Sequence, residues 1–249
     1  MDTAAYELFE RLEHEHWWLR GRRALYFDLL DHTLPGSRPL RSLDVGCGYG
    51  AMLPELERYG RTSGVDIFPE AVEYCRRRGN ASVQTASAYE LPAEPGSFDL
   101  VTFFDCIEHL DDDIAALREA HRVLTIGGHV VVSVPAYGFL YANNDRVAHH
   151  KRRYTRRELE RRIEAAGFEV RKTTYVNFLL FPIILPVVLL KKVGERLFPE
   201  PEDPTTNLTH PVPGPLNELL FAVFTSERYL LRRFSAPFGH SILAIAAKP

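Results

Sequence analysis

Along residues 41–177 the apolar positions alternate between two periods. Short runs of continuous or every-second apolar residues read as strands: RSLDV from Arg41, RTSGVD from Arg61, ASVQTA from Ala81, FDLVTFF from Phe98, HVVVSVP from His129 and FEVRKTTYV from Phe168. Between them lie stretches with helical spacing: MLPELERYG, PEAVEYCRRRG, DDDIAALREAHRVLT with an acidic first turn, and Tyr154 to Ala166. Thr155 followed by Glu158 predicts a capping box for the last of these, and Gly167 its end. Strands alternating with helices predict an α/β fold, a parallel sheet covered on both faces.

The flanks read differently. Residues 1–36 are rich in Glu, Arg, Leu and aromatics and predict helix to about Thr33, stopped by Leu34-Pro35-Gly36. After the strand at Phe168, roughly sixty residues intervene before the last β-type run, Ser241 to Ala247, far beyond the usual loop of about four to six. This insertion holds the uncharged run FLLFPIILPVVLL (Phe178 to Leu190), a proline-rich polar stretch from Pro199 to Pro215 that reads as an exposed loop, and an amphipathic helix from about Leu216 to Phe234. The apolar run is shorter than the roughly 20 residues a helix needs to span a bilayer. Two uses of it compete, burial under the Leu216 helix, which is favoured, and a wall for a lipid-like acceptor or membrane surface, with Lys191 and Lys192 toward anionic headgroups. The whole reads as a single domain: an N-terminal helical segment (1–36), a core (37–177), a helical insertion (178–239) and a final strand (240–249).

Composition adds boundaries. With 249 residues and 45% hydrophobic content, one sizeable core is expected. A formal net charge of -3 provides no bulk field for nucleic acid, so no nucleic-acid partner is expected. Cys47, Cys75 and Cys106 form no C-x-x-C pair and no disulfide framework, and the charged N-terminus resembles no export signal, so a cytoplasmic protein is expected.

The candidate chemistry begins at Leu43-Asp44-Val45-Gly46-Cys47-Gly48-Tyr49-Gly50, where a buried strand gives way to a helix. Glycines let the backbone turn sharply and approach a ligand, with N–H groups at the helix start facing it. The next strand ends at Asp66, whose carboxylate can accept hydrogen bonds from both hydroxyls of a ribose. A dinucleotide-binding oxidoreductase would share these features, but the glycines run G-x-G-x-G rather than G-x-G-x-x-G. Asp44 before them suits a cationic amino-acid end and would repel a pyrophosphate.

Taken in order, LDVGCGYG, VD at Asp66, ELPAEPGSFDLVTFFDCIEHLDD and RVLTIGGHVVVSVP resemble the successive motifs of class I S-adenosylmethionine-dependent methyltransferases. The resemblance covers about residues 41–177 plus the final strand. It implies a Rossmann-like seven-stranded sheet of order 3-2-1-4-5-7-6 with the last strand antiparallel. It also implies S-adenosyl-L-methionine across the ends of strands one, two and four; a small-molecule acceptor and no metal are expected beside it. Gly46, Gly48 and Gly50 are implied around the amino-acid moiety, Asp66 at the ribose, and Asp105 and Cys106 lining the pocket, with Cys47 and Ile67 as further cofactor-binding candidates. Where similar sequences often place an acid for adenine, this chain has Ala86-Ser87-Ala88, leaving Ser87 and Ala88 as the candidates. Three further stretches, EHWWLRGRR, NDRVAHHKRRYTRRELERRIEAAGFEV and PFGHSILAIAAKP, resemble a branch of bacterial and archaeal methyltransferases that are mostly assigned only generically.

Methyl transfer needs mainly positioning. For a hydroxyl acceptor a base must take a proton, and the candidates are His150, His109 and also His149, with Asp145 as partner. Each has a bland alternative in packing or solvent exposure. Trp17 and Trp18 could fold a lid over the cofactor, with Arg20 or Arg22 pairing to its carboxylate, or simply anchor a helix to the sheet. Arginines 152, 153, 156, 157, 161 and 162 alternate with Glu158, Glu160 and Glu164, which favours a solvated, salt-bridged face over an anion site. A nicotinamide-dependent oxidoreductase and a non-catalytic cofactor- or lipid-binding module remain as alternatives.

Overall fold

The structure is a computed structural model that describes residues 3–34, 36, 39–80, 82–197 and 212–249. Seven strands form one sheet: β1 (Leu40–Val45), β2 (Gly60–Asp66), β3 (Val83–Thr85), β4 (Phe98–Phe104), β5 (Leu124–Pro135), β6 (Glu169–Val176) and β7 (Ser241–Ala247). Their order is β3-β2-β1-β4-β5-β7-β6. β1, β2, β3, β4 and β5 run parallel, while β7 pairs antiparallel with both β5 and β6. This is the Rossmann-like sheet expected. Order reverses at β1, where chain crossovers to β2 and to β4 diverge and leave a crevice beyond the carboxyl ends.

The strand sequences explain their places. β7 (SILAIAA) is buried along its whole length between two neighbours. β4 (FDLVTFF) is buried at six of seven positions, as a central strand covered on both faces requires. One contiguous core joins these strands to Leu25, Tyr26, Phe27, Leu29 and Leu30 of the N-terminal segment, which is therefore part of the core and not an appendage.

The N-terminal segment is two helices, α1 (Thr3–Glu15) and α2 (Trp17–Thr33), broken at His16. His16 takes extended backbone and its side chain accepts from Trp18 N at 3.2 Å, the capping geometry that starts a new helix. Short α3 (Leu53–Leu56) follows the glycine loop, α4 (Pro69–Arg77) follows β2, and α5 (Asp113–Val123) follows β4 with Asp112 as N-cap. Beyond β5 come α6 (Asn143–Val147) and α7 (Arg156–Ala165), the latter opened by the Thr155–Glu158 capping box.

The insertion departs most from expectation. Its apolar run forms α8 (Phe181–Leu197), but only Leu180 and Phe181 of that run are deeply buried, while Ile183 (69%), Val187 (61%) and Leu190 (72%) are exposed. The favoured burial under the Leu216 helix is thus corrected. That helix is split by Glu227 into α9 (Gly214–Ser226) and α10 (Arg228–Leu231), and α9 packs on α2 instead, where the Phe224 ring stacks on Trp18 with centroids 5.2 Å apart. The contact is close enough that a Cβ on Gly21 would overlap the Phe224 ring. The proline-rich stretch from Pro199 to Pro215 lies mostly outside the described residues. Among the described residues no helix is long and apolar enough to cross a membrane.

Candidate active site

The crevice is built from the loop after β1. Gly46 (φ 75°), Gly48 (φ 54°) and Gly50 (φ 84°) all take left-handed backbone, which only glycine adopts freely. Their surroundings differ. A Cβ on Gly46 would lie 2.5 Å from Cys106 Sγ, so the loop and the end of β4 touch through a missing side chain. A Cβ on Gly48 would meet nothing within 4 Å and would project into open space. Gly50 is buried against Cys75 and Leu53, a packing position away from the crevice mouth.

The loop's N–H groups are used internally rather than left facing a ligand. Gly46 N and Cys47 N donate to Val65 O at 2.8 and 3.0 Å, and Gly50 N donates to Cys47 O at 2.9 Å. Gly48 N donates to Asp66 Oδ2 at 2.8 Å, and Phe68 N donates to Asp66 Oδ1 at 2.9 Å. Asp66 therefore holds the loop in shape, and each of its oxygens keeps a lone pair for a further donor. Cys47 turns its side chain into a small cluster with Leu53, Val72, Cys75 and Val83, so only its backbone belongs to the crevice.

Asp44 is buried and accepts from Thr102 Oγ1 at 2.6 Å. Burial pushes its carboxyl up to about 7, with the Thr102 bond pulling the other way and the Asp66 charge adding to the rise. An ammonium group arriving here would relieve that cost. Ile67 and Phe68 are exposed apolar side chains at the end of β2, 58% and 59% accessible, and offer a flat apolar surface. Ser87 Oγ accepts from Tyr89 N at 3.2 Å, and Ala88 is half-buried at the same edge. Glycines with one open face, the Asp44 and Asp66 carboxylates, and the exposed Ile67 and Phe68 side chains are compatible with S-adenosyl-L-methionine. A pyrophosphate there would face the Asp44 and Asp66 carboxylates.

Arg22 of α2 reaches the same crevice. Its guanidinium bonds Asp105 through Nη1 and Glu13 through Nη2, the latter at 2.8 Å. Burial opposes its charge, but Glu13 and Asp105 outweigh burial and hold it above its ordinary range. Both prongs of the fork are thus engaged with protein carboxylates. Asp105 itself has left-handed backbone (φ 51°) and is tied to Ser133 by its N–H and its Oδ1. Cys106 packs on Gly46 and is nearly buried. Arg20, the other candidate, points away to Glu218 on α9, and Trp17 and Trp18 anchor α2 to Phe224 rather than forming a lid.

Beside the crevice, the 3-10 turn after β4 (Ile107–His109) meets the loop that ends α6. His150 Nδ1 lies 2.9 Å from Asp145 Oδ1, and Arg153 Nε donates to the same oxygen at 2.7 Å. Burial would raise the Asp145 carboxyl, but these bonds outweigh it and bring it down to about 2. An ionised carboxylate only accepts, so His150 Nδ1–H donates to it, and in the neutral ring the lone pair lies on Nε2. The His109 ring packs edge-on to His150 with centroids 4.8 Å apart. Burial, then His150, holds its pKa below the usual value. His149 is exposed and left-handed (φ 59°), contributing its carbonyl rather than its ring.

Sequence reasoning missed Glu108. It is fully buried, neither carboxyl oxygen has a hydrogen-bond partner, and Oε1 lies 4.0 Å from His150 Nε2. Burial, followed by the Asp105 charge, pushes its pKa well above the usual range. A charge embedded in DCIEHL gave no signal, because only the fold brings loop 143–153 over it. Of the arginine-rich stretch, Arg156 pairs with Glu160 as expected for a solvated face, but Arg152 and Arg162 pair with the buried Asp113 of α5 and Arg153 with the buried Asp145.

Known proteins are similar to this chain in sequence and in fold. Residues 43–132 match the family model described as a methyltransferase domain. A probable S-adenosylmethionine-dependent methyltransferase of Mycolicibacterium smegmatis is 32% identical over 166 residues, 65% of this chain and 63% of that protein. A ubiquinone biosynthesis O-methyltransferase of Xanthomonas campestris pv. campestris is 38% identical over 108 residues, 41% of this chain and 44% of that one. The chain thus spans less than two thirds of the length of these curated relatives. In fold it is similar to a possible histamine N-methyltransferase from Thermotoga maritima, with a TM-score of 0.62, 21% identity and coverage of 98% and 95% of the two chains. Residues 43–132 are thus similar to a methyltransferase domain, and the Mycolicibacterium smegmatis relative is named as S-adenosylmethionine-dependent.

Proposed function

We propose that the chain is an S-adenosyl-L-methionine-dependent methyltransferase for a small-molecule acceptor, with His150 taking the proton of an acceptor hydroxyl. When bound, the cofactor supplies a methyl group on an already activated sulfonium. The chain's residues hold and orient: Asp66 keeps the glycine loop shaped and accepts from the ribose, Asp44 faces the cationic end, Ile67 and Phe68 cover the base, and Ser87 and Ala88 edge it. Placing the acceptor at near-attack distance contributes most of the rate, and a general base adds roughly 10²–10⁴-fold. The single observation carrying the base assignment is the anchoring of His150 Nδ1 on ionised Asp145, which leaves Nε2 free to accept a proton beside the end of β4.

The acceptor class is drawn from the surroundings. Tyr137, Phe181 and Tyr175 stack near the same end of the sheet, with Tyr137 and Tyr175 centroids 5.2 Å apart, and favour a hydrophobic, sugar-like or natural-product molecule that offers a hydroxyl. Among the relatives, the Xanthomonas campestris protein is named for O-methylation, which accords with this choice. Incubation with methyl-labelled cofactor and a metabolite extract is the test. Label in a small molecule, lost in His150→Ala, supports the reading, whereas no transfer to any small molecule favours a non-catalytic binding module.

A second feature accompanies it. Ile183, Val187 and Leu190 are spaced to form one exposed face of α8, close to Lys191 and Lys192. We infer that this face seats the protein on an anionic lipid surface when a lipid-like acceptor is used.

A further inference from the structure

We propose that Glu108, His109 and His150 form a site for one divalent transition-metal cation of the zinc, cobalt or ferrous type. One ligand atom from each lies within 4.8 Å of the others. Ligands of one tetrahedral ion bonded at 2.0–2.1 Å sit about 3.4 Å apart, so small side-chain rotations close the set.

The protonation pattern is already that of a ligand set. Asp145 accepts from His150 Nδ1, and the His149 carbonyl, 3.3 Å away, accepts from His109 Nδ1. Both partners are acceptors, so both rings carry their proton on Nδ1 and their lone pair on Nε2. A carboxylate or a carbonyl behind the histidine is how metal-ligating imidazoles are oriented. The third ligand supplies the independent observation. Glu108 is fully buried, and both its oxygens lack any hydrogen-bond partner, a costly arrangement that a cation at His150 Nε2 would relieve.

The loop bearing His150 is pinned to the same residue by Lys151 N, which donates to Glu108 O at 2.9 Å, and is held within itself by Tyr141 Oη, which donates to His150 O at 2.8 Å. Two nitrogens and one oxygen select borderline cations over magnesium or calcium, which prefer all-oxygen sets. His109 and His150 are only half-buried, which leaves a fourth position open to water or an acceptor oxygen. The nearby charges are balanced: Asp105 and Asp145 face Arg22 and Arg153. The cation site itself does not depend on the methyltransferase reading, but its use there does: on that reading His150 Nε2 serves as the base in the metal-free protein and as a ligand in the loaded one, where the cation would polarise the acceptor oxygen in its place.

The test titrates chelator-treated full chain with Co²⁺, read by visible absorption, and with Zn²⁺, read by calorimetry. The expected result is one cation per chain, with a cobalt spectrum lacking thiolate bands. Glu108→Gln and His150→Ala should each weaken binding at least 100-fold, and Asp145→Asn about 10–100-fold. His121→Ala, on α5 outside the cluster, should bind as the parent does. If Glu108→Gln folds poorly, His109→Ala at a half-buried position gives the same readout. Absence of stoichiometric binding, binding indifferent to these substitutions, or cobalt–thiolate bands would overturn the site. Titrating the same samples with S-adenosylhomocysteine separates the two readings: its binding without cobalt binding rejects only the cation site, and the reverse rejects only the cofactor crevice.

Discussion

The two halves of the candidate site treat their polar groups in opposite ways. At the glycine loop nearly every group is satisfied within the protein: Gly46, Cys47, Gly48 and Gly50 donate inward, Asp66 accepts twice and Asp44 is held by Thr102. Beside the end of β4, Glu108 has two orphan oxygens and His150 an open Nε2, while Asp145, Arg153 and the His149 carbonyl serve only to aim them. The difference separates a surface prepared for recognition, which must hold its shape alone, from one that keeps valence in reserve for proton or cation chemistry.

The sharpest way to break this contrast is at the loop. Gly46→Ala introduces a side chain at φ 75° against Cys106 Sγ and should abolish measurable S-adenosylhomocysteine binding by calorimetry. Gly48→Ala meets no neighbour, so it should fold yet bind far more weakly. Asp66→Ala removes charge-assisted hydrogen bonds worth roughly 1.5–3 kcal/mol each, about 10–100-fold in affinity per bond. If Gly48→Ala bound as the parent does, the open face of the loop would not be the ligand face.

On the other side, His150→Ala should lower turnover by roughly 10²–10⁴-fold while leaving S-adenosylhomocysteine affinity within about twofold. Equal losses in both would place His150 with the recognition half. The pH dependence of stability offers a smaller effect. Burial pushes Asp44 and Glu227 each up to about 7, so both bind protons in the folded state that the unfolded chain has released. Stability from these groups is complete below their unfolded values, near 4, and is lost as pH rises toward and through 7. Stability, read by the melting temperature, should therefore fall from pH 5.5 to 8, and Glu227→Gln should remove about 1–3 kcal/mol of that fall. Smallest is the effect of Ile183→Glu with Leu190→Glu on folding, within about 0.5 kcal/mol for exposed sites. The same pair should abolish flotation with anionic vesicles, and flotation unchanged by it would remove α8 as the contact.

The halves also differ in how far the sequence disclosed them. Strand and helix periods located all seven strands, and the glycine spacing with Asp44 and Asp66 located the crevice, because those features are local in the chain. The N–H groups of the loop were misjudged, since their partners, Val65 O and Asp66, sit on the next strand. Arg22 is expected from the sequence to pair with a cofactor carboxylate, whereas in the fold its guanidinium bonds Glu13 and Asp105, 9 and 83 residues away. Glu108 was missed for the same reason. The apolar run at Phe178 satisfied the rule for a buried helix, but the cover assigned to it was taken by α2 through Phe224.

The most direct test is a calorimetric titration of the purified chain with S-adenosylhomocysteine and, separately, with NAD. One micromolar site per chain for the former, weakened by Asp66→Ala, with no heat from NAD, is the expected outcome. Saturable NAD binding with none for S-adenosylhomocysteine would contradict it.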